Sequence, residues 1–241
     1  MKYYEREHVE AYARIRAEGL DQWNDLHAQD GARGYEHFAA REFLERELPE
    51  RGDGRTVFEY GCGTGGAACF MASRGYAVHA MDLVPDAIQM ARERASERGL
   101  DVVFDVGDVC RGAGPGRTVD YVVDCFCLQS IVTDEDRSTV LDGVHRWLEP
   151  GGLFILTTAM FEPGREYGDD RYDPHTGIVW TPSPRDTEGA RLLDRTWFAP
   201  VRRHLKPDAL RRELERHGLD VIVQSGEFGG NVVCRRRATT A

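Results

Sequence analysis

The chain has 241 residues, with 31 Lys and Arg against 41 Asp and Glu and a formal charge of −10. That length suits one large domain, and 41% hydrophobic with 10% aromatic residues can bury a core, which excludes wholesale disorder. No run nears the roughly 18 apolar residues of a membrane span, Met1–Glu5 starts no signal peptide, and the acidic balance opposes docking on nucleic-acid phosphates.

Residues 1–48 read as a helical cap, with Val9, Tyr12, Ile15 and Leu20 on one face. Leu48-Pro49-Glu50-Arg51-Gly52-Asp53-Gly54 breaks the pattern as a linker does. Residues 55–159 then alternate strand and helix. Strands are predicted at Thr56–Tyr60, Tyr76–Met81, Val102–Val106, Val119–Cys125 and Leu153–Thr158, the last after a Glu149-Pro150-Gly151-Gly152 turn. Helices are predicted at Gly65–Arg74, from Pro85 to Gly99, and at Asp134–Leu148. Alternating βαβ units predict an α/β fold with a doubly wound, mostly parallel sheet.

Residues 160–204 lose the period and read as a long irregular insert rich in aromatics and arginine, the form of a binding loop. The remainder, 205–241, predicts a helix at Pro207–His217 and a hairpin of Asp220–Ser225 with Asn231–Arg235, whose last strand runs antiparallel.

The sharpest signal is Val57-Phe58-Glu59-Tyr60-Gly61-Cys62-Gly63-Thr64-Gly65-Gly66. A strand runs into glycines that open a helix, where backbone N–H groups are free and no Cβ blocks a ligand. Gly61, Gly63 and Gly66 satisfy the dinucleotide pattern G-x-G-x-x-G. Glu59 with Gly61, Gly63 and Gly65 satisfies E-x-G-x-G-x-G instead, and a carboxylate there suits a ligand with a positive end and no phosphate. A turn without a ligand is the third reading. Asp82, 23 residues beyond Glu59, can take a ribose's hydroxyls or cap the next helix. Asp108 can accept from an adenine amine or serve a turn.

Residues 57–158 resemble the class I S-adenosylmethionine-dependent methyltransferases. The resemblance rests on five motifs in order. They are Glu59 with Gly61, Gly63 and Gly65; Asp82; Gly107-Asp108-Val109; Val119-Asp120-Tyr121-Val122-Val123-Asp124-Cys125 with Cys127-Leu128-Gln129-Ser130-Ile131; and Leu148-Glu149-Pro150-Gly151-Gly152. Gln129-Ser130 stands where a His pair is common, and Asp124 where a small residue is usual. The family fold is a Rossmann-like, mostly parallel seven-stranded sheet with an antiparallel C-terminal strand. The resemblance implies S-adenosylmethionine as methyl donor, bound by Glu59, Gly61, Cys62, Gly63, Gly65, Asp82, Leu83, Asp108, Val109, Asp124 and Cys125.

The acceptor would be held by the cap, with Tyr12, Trp23, His27, Phe38 and Arg41 as candidates, and by the insert, with Tyr172, Trp180 and Arg203. His204 or His175 is the expected base for an oxygen acceptor. The leading expectation is a methyltransferase for an O or N atom of a small polar metabolite or natural product. A nicotinamide-dependent oxidoreductase using the same glycines, and a non-catalytic cofactor-binding regulator, are the alternatives.

Six cysteines, at 62, 69, 110, 125, 127 and 234, form no zinc or C-x-x-C pattern and read as free thiols of a reducing cytoplasm. No metal is expected. Lys2 and Lys206 are the only lysines, so a lysine nucleophile is excluded elsewhere. The partner expected is a small-molecule acceptor, with no nucleic acid and no membrane, for a monomer or homodimer.

Overall fold

A computed structural model describes residues 2–27 and 35–238. Seven strands form one sheet: β1 Thr56–Tyr60, β2 Ala77–Asp82, β3 Val102–Val106, β4 Val119–Cys125, β5 Leu148–Thr157, β10 Leu219–Ser225 and β11 Asn231–Arg236. Their order is β10-β11-β5-β4-β1-β2-β3. β1 to β5 are mutually parallel, and β11 runs antiparallel to both β5 and β10. This is the doubly wound, Rossmann-like sheet with an antiparallel last strand that the alternation predicted.

Strand alternation builds a core on each face. Val57, Tyr121 and Val123 pack with α3 (Gly66–Ser73), α4 (Pro85–Glu97) and α2 (Arg41–Glu47). Phe58, Tyr60 and Val122 pack with α5 (Asp134–Trp147) and α6 (Pro207–Arg216). The predicted strands are found within about one residue, with one difference. β5 begins at Leu148, because Leu148 still pairs with Val119 before the register shifts at Tyr121 and Leu153. Pro150-Gly151 is thus an irregularity inside the strand, with Gly151 at φ 81°.

The cap is α1 (Glu5–Glu18), two 3-10 turns at Trp23–His27 and Tyr35–His37, and α2. Tyr12 and Ile15 are buried, but Val9 is 42% exposed, so the inner face is set by Tyr4, His8 and Tyr12 rather than by Val9.

The insert is not irregular. It folds into a second sheet of β6 Arg171–Tyr172, β7 Ile178–Pro182, β8 Arg191–Leu193 and β9 Thr196–Arg203, in the order β6-β7-β9-β8, all antiparallel. The two-residue turn between β8 and β9 places Asp194 and Arg195 at φ 45° and 71° without a glycine. A hairpin turn normally announces itself by glycine or asparagine, so its signal was absent from the sequence. This sheet and its β7–β8 loop lean on α1 and the residues before it through Lys2–Glu188, Arg6–Asp186 and Glu7–Arg202 ion pairs. Among the described residues, no helix is long and apolar enough to cross a membrane.

Candidate cofactor and acceptor site

Strand order reverses between β1 and β4, the point where a doubly wound sheet opens a crevice at its carboxyl edge. A cavity of about 380 Å³ lies there, roofed by α1 and the second sheet. Its floor is the glycine loop, with Gly61, Gly63 and Gly65 at φ 64°, 55° and 79°. A Cβ on Gly61 would stand 2.5 Å from the Cys127 side chain, and one on Gly63 2.5 Å from the Tyr12 hydroxyl. Gly65 lies off the cavity. It starts α3, and a Cβ there would meet Ala91 at 2.9 Å and the Phe104 ring at 3.2 Å, so it permits close helix packing. Gly63→Val is therefore expected to abolish cofactor binding in calorimetry. The new side chain collides with Tyr12 and strains a left-handed backbone.

Three carboxylates converge below the loop. Glu59 is 1% exposed, Asp82 6% and Asp124 1%. Burial, then the charges of Asp124 and Asp82, push the Glu59 carboxyl well above its ordinary range. Its Oε2 has no hydrogen-bond partner among the described residues. Asp82 is raised by burial, although it accepts from the Gly63 and Val84 N–H groups at 2.8 and 2.9 Å. The Asp82 carboxylate thus holds the glycine loop as well as facing the cavity. Burial pushes Asp124 up to about 7. It accepts from the N–H groups of Cys127 and Leu128 at 2.7 and 2.9 Å. Asp124 is not part of the lining; it ties the turn after β4, whose Cys125, Phe126 and Cys127 are. Phe126 sits at φ 67°, a left-handed conformation that a bulky residue adopts only where its surroundings enforce it.

Asp108 faces the cavity beside Leu83 and Val109. Its carboxylate accepts from the Tyr4 hydroxyl and the Cys110 N–H, both at 2.9 Å. The structure therefore gathers Glu59, Gly61, Cys62, Gly63, Asp82, Leu83, Asp108, Val109 and Cys125 around one space, without Gly65 and Asp124.

On the acceptor side the placement differs more. Trp23, Phe38 and Tyr12 line the cavity; Tyr172, Trp180, Arg203, His175 and His204 do not, and the side chain of His27 lies outside the described residues. Neighbours on a strand point to opposite faces, and parity gives the cavity to Arg202. Arg203 instead donates to Asp134 at 2.5 Å and to the Val132 carbonyl. His204 is 4% exposed, beside the Tyr167 hydroxyl at 3.2 Å, and burial lowers it to about 4. Tyr172 stacks between Phe161 and Tyr167 and donates to the His204 carbonyl, while His175 is exposed on a separate groove with Arg203. Trp180 is buried under Arg191. In their place stand His8 and Arg202, which the sequence reading did not single out. The spacing of Tyr4, His8 and Tyr12 by four was the available signal.

Three buried carboxyls offer a phosphate no positive charge, whereas a ligand with an ammonium and a sulfonium favours their ionised forms. The orphaned Glu59 oxygen and the Cβ-free floor fit S-adenosylmethionine. Fold and site together are similar to those of the class I S-adenosylmethionine-dependent methyltransferases. Residues 57–152 match the family model "Methyltransferase domain".

A phosphoethanolamine N-methyltransferase of Triticum aestivum is 29% identical over 127 residues, 52% of this chain and 24% of its own length. A 2-heptyl-1-hydroxyquinolin-4(1H)-one methyltransferase of Mycobacteroides abscessus is 33% identical over 101 residues, 42% of this chain and 44% of its own. This chain thus spans less than half the length of these two relatives. Among solved structures, a glycopeptide N-methyltransferase complexed with S-adenosyl-L-methionine is 26% identical with a TM-score of 0.57, covering 83% of this chain and 92% of that one. A S-adenosylmethionine-dependent methyltransferase from Clostridium acetobutylicum shares the fold at 13% identity and a TM-score of 0.59, over 97% of this chain and 98% of that one.

Proposed function

We propose that the protein transfers the methyl group of S-adenosylmethionine to an oxygen or nitrogen atom of a small polar metabolite or natural product. The observation that carries this is the buried Glu59 carboxylate with an unpartnered oxygen in the wall of the cavity. When bound, the cofactor supplies an electrophilic methyl on a sulfonium. Glu59 would hold its ammonium, Asp82 its ribose hydroxyls, and Asp108 with Val109 its adenine. The glycine backbone lets the ligand lie close. Tyr4, just before α1, and His8 and Tyr12 on it cover the site and exclude water, and alignment of acceptor with methyl supplies most of the rate.

Trp23, Phe38 and Phe126 give the acceptor side a flat apolar wall, which suits a small ring or chain. The small acceptors in the names of the Mycobacteroides and Triticum relatives support the same class. The net charge of −10 supports a site that avoids nucleic acid, and six free cysteines support a reducing cytoplasm. Monomer or homodimer is the proposed assembly.

The test is a thermal shift with S-adenosylhomocysteine against NADH. At a hundred times its dissociation constant the former should add about 2.7 kcal/mol of stability. Stabilisation by NADH alone would overturn the reading.

A further inference from the structure

His8 is half-buried and lines the cavity between Tyr4 and Tyr12. Its Nδ1 lies 2.6 Å from the Tyr4 carbonyl oxygen. A carbonyl only accepts, so Nδ1 carries the hydrogen and donates it. In the neutral ring Nε2 is then the nitrogen with a free lone pair. Among the described residues, the hydrogen bond the ring makes is the one at Nδ1. The ring is held against Trp23 at 5.1 Å, so its orientation is set by packing as well as by the hydrogen bond.

The groups facing His8 are Tyr4 just before its helix, Glu7 and Tyr12 on it, Asp82 at the end of β2, and Arg202 on β9. Burial first, then the Arg202 guanidinium, lower the imidazole below its ordinary range, and Glu7 and Asp82 oppose this. Glu7 grips Arg202 with both oxygens, at 2.6 and 2.7 Å, which fixes the cation at the cavity wall.

We propose that His8 is the general base for the acceptor, and that the acceptor group is a hydroxyl on a flat ring. This rests on the methyl-transfer reading and narrows it. A neutral amine attacks with its own lone pair and needs no base first. A hydroxyl must lose its proton as it attacks, and a fixed imidazole lone pair beside a guanidinium serves that need. The acceptor oxygen bonds to the methyl carbon. The carbon–sulfur bond breaks with its electron pair left on sulfur, and the hydroxyl proton passes to Nε2. The imidazolium then returns that proton to water.

Calorimetry with S-adenosylhomocysteine first establishes the donor site; no binding would overturn the methyl-transfer reading itself. With that ligand bound, nitrogen-15 NMR of the histidine rings at pH 7 should show His8 neutral, with hydrogen on Nδ1 and Nε2 bare. Hydrogen on Nε2, or an imidazolium, overturns the proposal, whether or not any probe is turned over. Matched probes, 7-hydroxy-4-methylcoumarin and 7-amino-4-methylcoumarin, then report the acceptor class. Transfer to the hydroxyl compound should fall about 10²–10⁴-fold in His8→Gln and lose its acid limb, with S-adenosylhomocysteine affinity retained. Turnover of the amine alone, or an unchanged rate in His8→Gln, would overturn it.

Discussion

Arg137→Ala is expected to cost about 3–5 kcal/mol, because it leaves a buried carboxylate without its partner. Arg137 on α5 and Glu213 on α6 pair through both nitrogens and both oxygens at 2.7 and 2.6 Å, with side chains 3% and 8% exposed. The remaining nitrogen donates to the carbonyls of Leu128 and Ile131 at 2.8 and 2.9 Å. One guanidinium thus fastens two helices to the turn after β4, and Gln129, Ser130 and Ile131 of that turn line the cavity. Thermal denaturation should show a drop of about 2–4 °C per kcal/mol for a chain of this size. S-adenosylhomocysteine binding should weaken as well.

The pH dependence has a definite sign. Burial alone would raise the Glu213 carboxyl, but the hydrogen bonds and charge of Arg137 hold it below its ordinary value. A lowered carboxyl stabilises the fold above its unfolded pKa, and that contribution is lost as pH falls through the folded value. The wild type should therefore lose stability in acid more steeply than Arg137→Ala. The double change Arg137→Met with Glu213→Leu should recover most of the loss, since an apolar pair leaves no buried charge unpaired. A loss under about 1 kcal/mol for Arg137→Ala would show the pair to be dispensable.

Glu59→Gln should divide stability from binding. The Glu59 carboxyl is raised well above its ordinary value by burial and by Asp124 and Asp82, and its Oε2 has no partner among the described residues. A raised carboxyl reverses the sign: the free protein gains stability from this group as pH falls through the raised value. Glutamine removes that cost at neutral pH, so the ligand-free protein should melt no lower than wild type. Affinity for S-adenosylhomocysteine should fall by about 1.5–3 kcal/mol, the loss of a charge-assisted hydrogen bond to its ammonium. Wild-type affinity should also rise with pH, because the carboxyl must ionise to meet the ammonium; calorimetry across pH reads both effects. Normal binding by Glu59→Gln would remove Glu59 from the cofactor site.

Both residues show how far local pattern reaches. Glu59 stands in a contiguous motif, two residues before the first glycine, so its place at the end of a strand followed from the chain itself. Arg137 and Glu213 are 76 residues apart, in two amphipathic helices that gave no sign of meeting. Arg203, expected at the acceptor, and its neighbour Arg202 lie in one short basic run. The choice depends on strand parity, and the turn that sets it contains no glycine. His8 lay in a helix whose inner face was read through Val9, one residue away.

By itself the sequence determined the alternating βαβ order, the antiparallel last strand, the glycine cradle and the acids beside it. These depend on neighbours in the chain, on periods of two and 3.6, and on the backbone freedom of glycine. The tertiary structure decided what closes the cradle: a second sheet where an irregular insert was expected, Arg202 in place of Arg203, and His8 in place of His204 and His175. Those are contacts between segments nearly two hundred residues apart, as in the Glu7–Arg202 pair that joins α1 to β9. Only the packing of the cap and the second sheet over the cavity brings them together.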